Sequence, residues 1–284
     1  MTSGAPGYPG TRWEGVSNAI TSVTAQLQMR VAFGLAVFPA LDSPECGTAS
    51  LVVEPSFENA PNIATVLDDF YTEPLGATPT AAALQEVRTW HIDHPPTLPR
   101  AVLLATDGGP NCNATLDPST CVCSSGVDTT DCAVSLEPLL CLDDGNAISA
   151  VTALRAQGLD TYVIGIPGVE NFGDVLDAMA EAGGTNRYYL ARDTGTLEAA
   201  VGDIGRRAGG CSIEVSADDV GDLSRAARLE LTIDGEPIAA DPLHEDGFAV
   251  VDATHVDLYG AACEAWLTTG AMSLGVCTIE GSTP

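Results

Sequence analysis

An unbroken apolar run leads through Ala101, Val102, Leu103, Leu104 and Ala105 and stops abruptly at Thr106-Asp107-Gly108-Gly109. A strand with one face in water alternates apolar and polar residues; a run without polar interruption marks a strand covered on both faces. Residues 160–168 (DTYVIGIPG) and 30–39 (RVAFGLAVFP) read the same way. Residues 48–55 read as an antiparallel edge partner of the latter, and 187–192 as one more strand. The stretches between them carry helical spacing. In 11–28, Trp13, Val16, Ile20, Val23 and Leu27 recur every three or four positions. In 78–93, Ala83, Leu84, Val87 and Trp90 line one face, with Thr78 as the expected cap and Pro79 at the first helical position. Further helices are expected over 59–70, 146–158, 171–184 and 193–210. Strands alternating with helices define an α/β fold: a doubly wound, mostly parallel sheet with helices on both faces.

After Gly210 the pattern changes to short strands between turns, with Asp234-Gly235 at the bend of a hairpin. Two domains follow from this: 1–208, with a Cys-rich insertion at 110–144, and a small β-sandwich-like module at 209–284. An insertion of that length without regular structure needs pinning or a function.

The pinning is expected from cysteine. The chain has nine, five of them (Cys112, Cys121, Cys123, Cys132 and Cys141) crowded into the insertion and three (Cys211, Cys263 and Cys277) in the last quarter, with Cys46 alone near the start. The spacing offers no C-x2-C or C-x4-C pair of the zinc-binding kind, so disulfides are expected among those eight. Cys121 and Cys123 are too close for an easy mutual bond, so each should pair elsewhere. So many cysteines imply an oxidising, extracytoplasmic location: secreted, periplasmic or cell-surface. The N-terminus has neither a basic region nor an apolar core of a signal peptide, which suggests a leader lost with a missing N-terminal segment. No apolar run reaches transmembrane length, so no membrane insertion is expected. The net charge of −28 comes from 39 acidic residues against 11 basic ones, all arginine, a field that repels nucleic acid and anionic lipid. With no lysine a phosphate-binding P-loop is impossible, and no Gly-x-Ser-x-Gly or Cys/His pairing marks a nucleophile, so the chain is not expected to be an enzyme. The histidines, His91, His94, His244 and His255, are scattered and expected at the surface.

Two segments carry the chemistry: 75–84 (LGATPTAAAL) and 103–111 (LLATDGGPN). In an open α/β sheet, ligands bind outside the carboxyl ends of the strands, where the Asp107-Gly108 turn would sit. Asp107 offers a carboxylate and Thr78 a hydroxyl, hard oxygen donors suited to Mg²⁺, Mn²⁺ or Ca²⁺. A Gly-x-Thr-x-Thr loop entering a helix, followed by an apolar strand ending in Thr-Asp-Gly, resembles the second and third motifs of the von Willebrand factor A family. The resemblance covers residues 1 to about 208 and implies a metal-ion-dependent adhesion site, with Thr78 and Asp107 as metal ligands and a protein ligand captured at the metal-bearing rim. The Cys-bearing form, TDGGPNCN through CLDD, is similar to a secreted bacterial group of that family, whose C-terminal module resembles 211–277.

The family's first motif, Asp-x-Ser-x-Ser, has no counterpart here. Met1-Thr2-Ser3-Gly4 resembles the residues just after it, which implies that the chain starts downstream of the motif and of the strand before it. The resemblance places that strand between those at 30–38 and 99–107, which would otherwise face a gap or pair with each other. Thr78 and Asp107 alone are too few for a hard divalent ion that wants about six oxygens. Cation binding is therefore expected to be weak or absent in this chain. The leading expectation is an adhesion-type binding domain with a partial metal site; the alternative is a disulfide-stapled structural surface protein whose metal site is vestigial.

Overall fold

The structure is a computed structural model that describes residues 4, 7, 8, 10–29, 31–40, 46, 47, 49–69, 77–95, 100–124, 137–208, 210–215, 228–243, 246–252, 254–269 and 272–277. The chain divides into two units, Met1–Ile204 and Gly205–Pro284.

In the first unit, Thr11 starts α1 (Arg12–Leu27) through a capping box: its hydroxyl accepts from Glu14 N, and the Glu14 carboxylate accepts from Thr11 N. Strands β1 (Phe33–Val37) and β2 (Ser50–Ser56) pair antiparallel, with Leu35 opposite Val53. Then come α2 (Ala60–Asp69), α3 (Thr80–Asp93), β3 (Ala101–Thr106), α4 (Asp144–Arg155), β4 (Asp160–Gly165), α5 (Gly173–Ala182), β5 (Tyr189–Leu190) and α6 (Thr194–Ala208). Strands β3, β4 and β5 form a parallel sheet in that order.

The apolar runs explain the layering. On β4, Val163 enters a core with Leu84 of α3, Leu104 of β3, Leu154 of α4 and Met179 of α5. Its neighbour Ile164 enters a second core with Val16 and Val23 of α1 and Leu197 and Val201 of α6. Successive strand residues thus face opposite helical layers, and the domain is a doubly wound α/β fold. Leu154, Ile164 and Met179 are fully buried, each contributing about 1.5–3 kcal/mol.

On β3, Leu103 is exposed and Ala101, Val102 and Ala105 are only half-buried, so this strand is less covered than its apolar run predicts. Strand β1 also departs from its reading as a strand covered on both faces. Gly34 is exposed, and Phe33, Leu35 and Ala36 are only half-buried. With β2 it forms its own two-stranded sheet, and among the described residues no strand pairing joins β1 to β3. Phe33, Leu35 and Val53 pack instead with Ile63, Leu67, Trp13 and Ile20. Ile20 also touches the core around Ile164, so α1 serves both sheets. The strand expected over 187–192 shortens to Tyr189–Leu190, because Tyr188 N donates to the Asp177 side chain (3.1 Å) rather than to a neighbouring strand.

The second unit has two antiparallel three-stranded sheets. One is ordered β6 (Ser212–Glu214), β10 (His255–Tyr259), β9 (Gly247–Val250); the other β11 (Met272–Cys277), β7 (Arg228–Ile233), β8 (Glu236–Ile238). Ile213, Phe248, Val256 and Leu258 from the first and Leu231 and Ile233 from the second share one core. The β7–β8 bend falls at Asp234-Gly235, both with positive φ (52° and 81°), as a tight hairpin demands. A helix, α7 (Gly260–Thr269), lies between β10 and β11, where only strands are legible in the sequence. Its Ala262 and Cys263 are buried in the shared core. Among the described residues no helix is long and apolar enough to cross a membrane.

Candidate functional site

Because β3 and β4 run parallel with Thr106 opposite Gly165, their carboxyl ends share one rim. There the chain turns through Asp107 and Gly108. The buried Thr106 hydroxyl ties the turn, accepting from Gly108 N (3.3 Å) and donating to Gly108 O (3.0 Å). Ile166 N donates to Thr106 O (2.9 Å), locking the next loop of the rim to the same point. Gly109 is required by space, since a Cβ there would lie 2.7 Å from Phe172 and 2.8 Å from Leu142. Gly168 is required by conformation as well, with φ +125° and Asp107 O only 2.6 Å from where its Cβ would be.

Thr78 reaches the same place from another element. Its N–H donates to Asn111 Oδ1 (2.7 Å), and its carbonyl accepts from Asn111 N (2.9 Å). Its Oγ1 lies 3.6 Å from the position a Cβ on Gly108 would take. The two donors proposed from sequence, Thr78 and Asp107, therefore meet at one rim although 29 positions separate them. Thr78 does not, however, cap α3. Pro79 is the N-cap residue, no side chain caps the helix, and the first helical residue is Thr80. The Thr78 carbonyl is already shared between Thr80 N (2.7 Å) and Asn111 N, so this residue serves the rim rather than the helix start. Gly76 of the loop lies outside the described residues.

The sequence reading missed Arg12. Its Nη1 lies 3.4 Å from Asp107 Oδ2, with side chains 22% and 20% exposed. Its Nε is buried without a hydrogen-bond partner among the described residues. Arg12 is the first residue of α1, where a positive charge opposes the helix dipole. That mismatch is the signal the sequence offered: a cation at such a position needs a carboxylate nearby, and Asp107 provides it.

The site suits a hard divalent cation in donor type but not in donor number. Thr78 and Asp107 supply a hydroxyl and a carboxylate, where about six oxygens are wanted. Among the described residues no group of three or more His, Cys, Asp or Glu is placed to hold a metal, and the guanidinium of Arg12 already contacts the carboxylate.

The insertion beside the rim is stapled as expected. Cys121 bonds Cys141 (Cα–Cα 5.6 Å), and Cys123 is also disulfide-bonded, so neighbouring Cys121 and Cys123 do pair elsewhere. Cys112, with φ +77°, bonds Cys46 (Cα–Cα 5.5 Å), which ties the β1–β2 connection to the rim. Nothing in the sequence singles out Cys46 as the partner. Cys211 bonds Cys263 in the second unit. Cys132 and the side chain of Cys277 lie outside the described residues. Backbone bonds from Asp143 N to Pro110 O (2.9 Å) and from Cys112 N to Leu139 O (3.0 Å) hold the two ends of the insertion together. Asn113 Nδ2 donates to Asp143 Oδ1 (2.8 Å), and burial raises the pKa of Asp143 above the ordinary carboxylate value.

His91 is half-buried rather than at the surface. Its Nδ1 accepts from Arg100 Nη1 (2.7 Å). Burial, then the charges of Arg100 and His94, lower its pKa to about 4. Beside it, Trp90 stacks on His94, with ring centroids 4.4 Å apart.

No protein-family model matches this chain, and no curated protein does. Solved structures do share its architecture. The pilus adhesin SpaC from Lactobacillus rhamnosus GG, in its open conformation, aligns over 96% of this chain and 38% of its own, with 11% identity and a TM-score of 0.54. The PilB minor pilin from Streptococcus sanguinis aligns over 71% of this chain and 55% of its own, with 18% identity and a TM-score of 0.51. At such identities the likeness is one of fold. This chain spans between about a third and just over half the length of these structures.

Proposed function

We propose that this chain is a non-catalytic, adhesion-type binding domain of the von Willebrand factor A kind, acting outside the cytoplasm and engaging a protein ligand through the rim at Asp107. The observation that carries the reading is the convergence of Thr78 and Asp107 at the carboxyl ends of the parallel strands, on elements 29 positions apart. Fold likeness to a pilus adhesin and a minor pilin supports a surface role, and the disulfides support an oxidising compartment. Thr78 and Asp107 would donate to Mg²⁺, Mn²⁺ or Ca²⁺, which when bound would supply an open coordination position for a carboxylate of the partner. Its remaining oxygens would come from water and from that partner. Asn111 would hold Thr78 in place, and the stapled insertion would shape access to the rim.

Calorimetric titration of the chain with MgCl₂ tests the donor set. Weak binding that Asp107→Ala abolishes supports it; binding indifferent to that change refutes the assignment of Asp107. The second reading, a disulfide-stapled surface scaffold with a vestigial site, is favoured by the pairing of Asp107 with Arg12, and it predicts no Mg²⁺ binding at all.

A further inference from the structure

The insertion beside the rim exposes apolar side chains on a stapled frame. Cys123 and Cys141 stand opposite each other in an antiparallel bridge. Ser124 N donates to Leu140 O (2.8 Å) and Leu142 N to Val122 O (2.7 Å) on either side of them. Side chains alternate across such a ladder. Cys123 and Cys141 are buried, so Val122 and Leu142 share the opposite, outward face. Val122 is 57% exposed and Leu140, on the same short pairing, 38%. The Cys121–Cys141 bond and the disulfide of Cys123 fix the frame. Hydrogen bonds tie it to the rim: Ser124 Oγ donates to Leu140 O (2.9 Å) and accepts from Asn111 Nδ2 (3.0 Å), and Asn111 Oδ1 holds Thr78 N. Leu142 reaches the rim directly, with its Cδ1 2.8 Å from where a Cβ on Gly109 would stand.

A single exposed aliphatic side chain needs no explanation, but a group of them held on one rigid face does. Charge narrows what can cover that face. Residues 110–144 carry six acidic residues, Asp117, Asp128, Asp131, Glu137, Asp143 and Asp144, and no Lys, Arg or His. Asp117, Glu137 and Asp144 are exposed. A second copy of this chain, with its net charge of −28, would bring like charge to an acidic border. We propose that Val122, Leu140 and Leu142 form the apolar anchor of the chain's docking surface, and that the occupant is a partner protein whose apolar pocket is bordered by Lys and Arg. The inference rests on the reading of the chain as an adhesion-type protein-binding domain, and it needs no cation at Thr78 and Asp107. The disulfides hold the face in shape before the partner arrives, so little conformational freedom is lost on docking. The acidic border draws a basic partner and rejects an acidic one.

The test uses the full chain with its disulfides intact, in EDTA at neutral pH. It is titrated with an amphipathic peptide of Leu and Lys and, separately, with the same pattern built of Leu and Glu, and followed by methyl and amide NMR. The Leu/Lys peptide should bind and shift the Val122 and Leu140 methyl signals. The paired changes Val122→Ser and Leu140→Ser should weaken that binding at least about tenfold. Both side chains are exposed, so the paired variant should melt within about 3 °C of wild type. Should it not fold, Val122→Ser alone should weaken binding at least about threefold. The Leu/Glu peptide should not bind. Equal affinity of wild type and the Ser variant overturns the anchor, and so does a Leu/Lys peptide that fails to bind. Binding of the Leu/Glu peptide as tight as that of the Leu/Lys peptide overturns the basic partner. Shifts centred on Thr78 and Gly108, with Val122 and Leu140 unmoved, overturn this inference and leave the rim as the docking surface. The donor assignment stands or falls separately, on the MgCl₂ titration.

Discussion

Asn111 holds both main-chain polar groups of Thr78: Thr78 N donates to Asn111 Oδ1 at 2.7 Å, and Asn111 N donates to Thr78 O at 2.9 Å. Asn111 follows β3 and Thr78 precedes α3, so this clamp, rather than helix capping, sets where the Thr78 hydroxyl stands relative to Asp107. The buried Asn111 side chain also donates to Ser124 Oγ (3.0 Å) in the insertion. Asn111→Ala should therefore lower stability by about 1–3 kcal/mol and weaken any cation binding that depends on Thr78. Urea denaturation and calorimetry of the same variant check both. A variant as stable as wild type would mean that the clamp carries no load.

The two glycines after Asp107 should behave differently. A Cβ on Gly108 would meet nothing nearer than Thr78 Oγ1 at 3.6 Å, an ordinary contact, whereas one on Gly109 would strike Phe172 and Leu142. Gly109→Ala should cost about 1–3 kcal/mol, while Gly108→Ala should stay within about 0.5 kcal/mol of wild type. Thermal unfolding of the two variants side by side distinguishes them, and a reversed order would contradict the packing described at the rim.

The sequence disclosed the parallel core and the two donors but not what holds them. Apolar runs such as 160–168 announce strands because burial on both faces leaves no polar position, and the Thr-Asp-Gly ending marks a rim turn. Arg12 was hidden because its partner Asp107 lies 95 positions away; only its mismatch with the helix dipole hinted at a role. Cys46 was hidden for a similar reason, since its partner is 66 positions off and nothing local singles it out. The helix Gly260–Thr269 is short, and Gly260, Ala261 and Ala262 give its start no apolar stripe. Strand β1 reads as covered on both faces from its apolar run, but such a run cannot report whether a packed layer is there to cover each face, and Gly34 and Leu35 are left partly open.

Removing the Cys46–Cys112 bridge should be costly, because it closes a loop of 66 residues. Chain entropy alone sets the loss at about 4 kcal/mol. Paired Cys46→Ser and Cys112→Ser changes avoid leaving a lone thiol. A loss well below 1 kcal/mol in urea denaturation would show that the unfolded chain is already constrained there.

His91 should make stability depend on pH. Its folded pKa lies near 4, below the ordinary value of 6.5. Between those values the unfolded chain binds a proton that the folded chain refuses, so stability falls as pH drops from about 6.5 to about 4. After allowance for the half-exposed ring, the effect should be about 1 kcal/mol. His91→Gln should lose correspondingly less stability than wild type between pH 7 and pH 4.5. Equal losses would remove His91 from the account.

The most direct measurement is anomalous diffraction from crystals of the chain grown in MnCl₂. With Thr78 and Asp107 as donors, a manganese peak is expected at the rim, within about 2.0–2.6 Å of both Thr78 Oγ1 and an Asp107 carboxylate oxygen. A rim with no peak at high MnCl₂ would contradict that assignment.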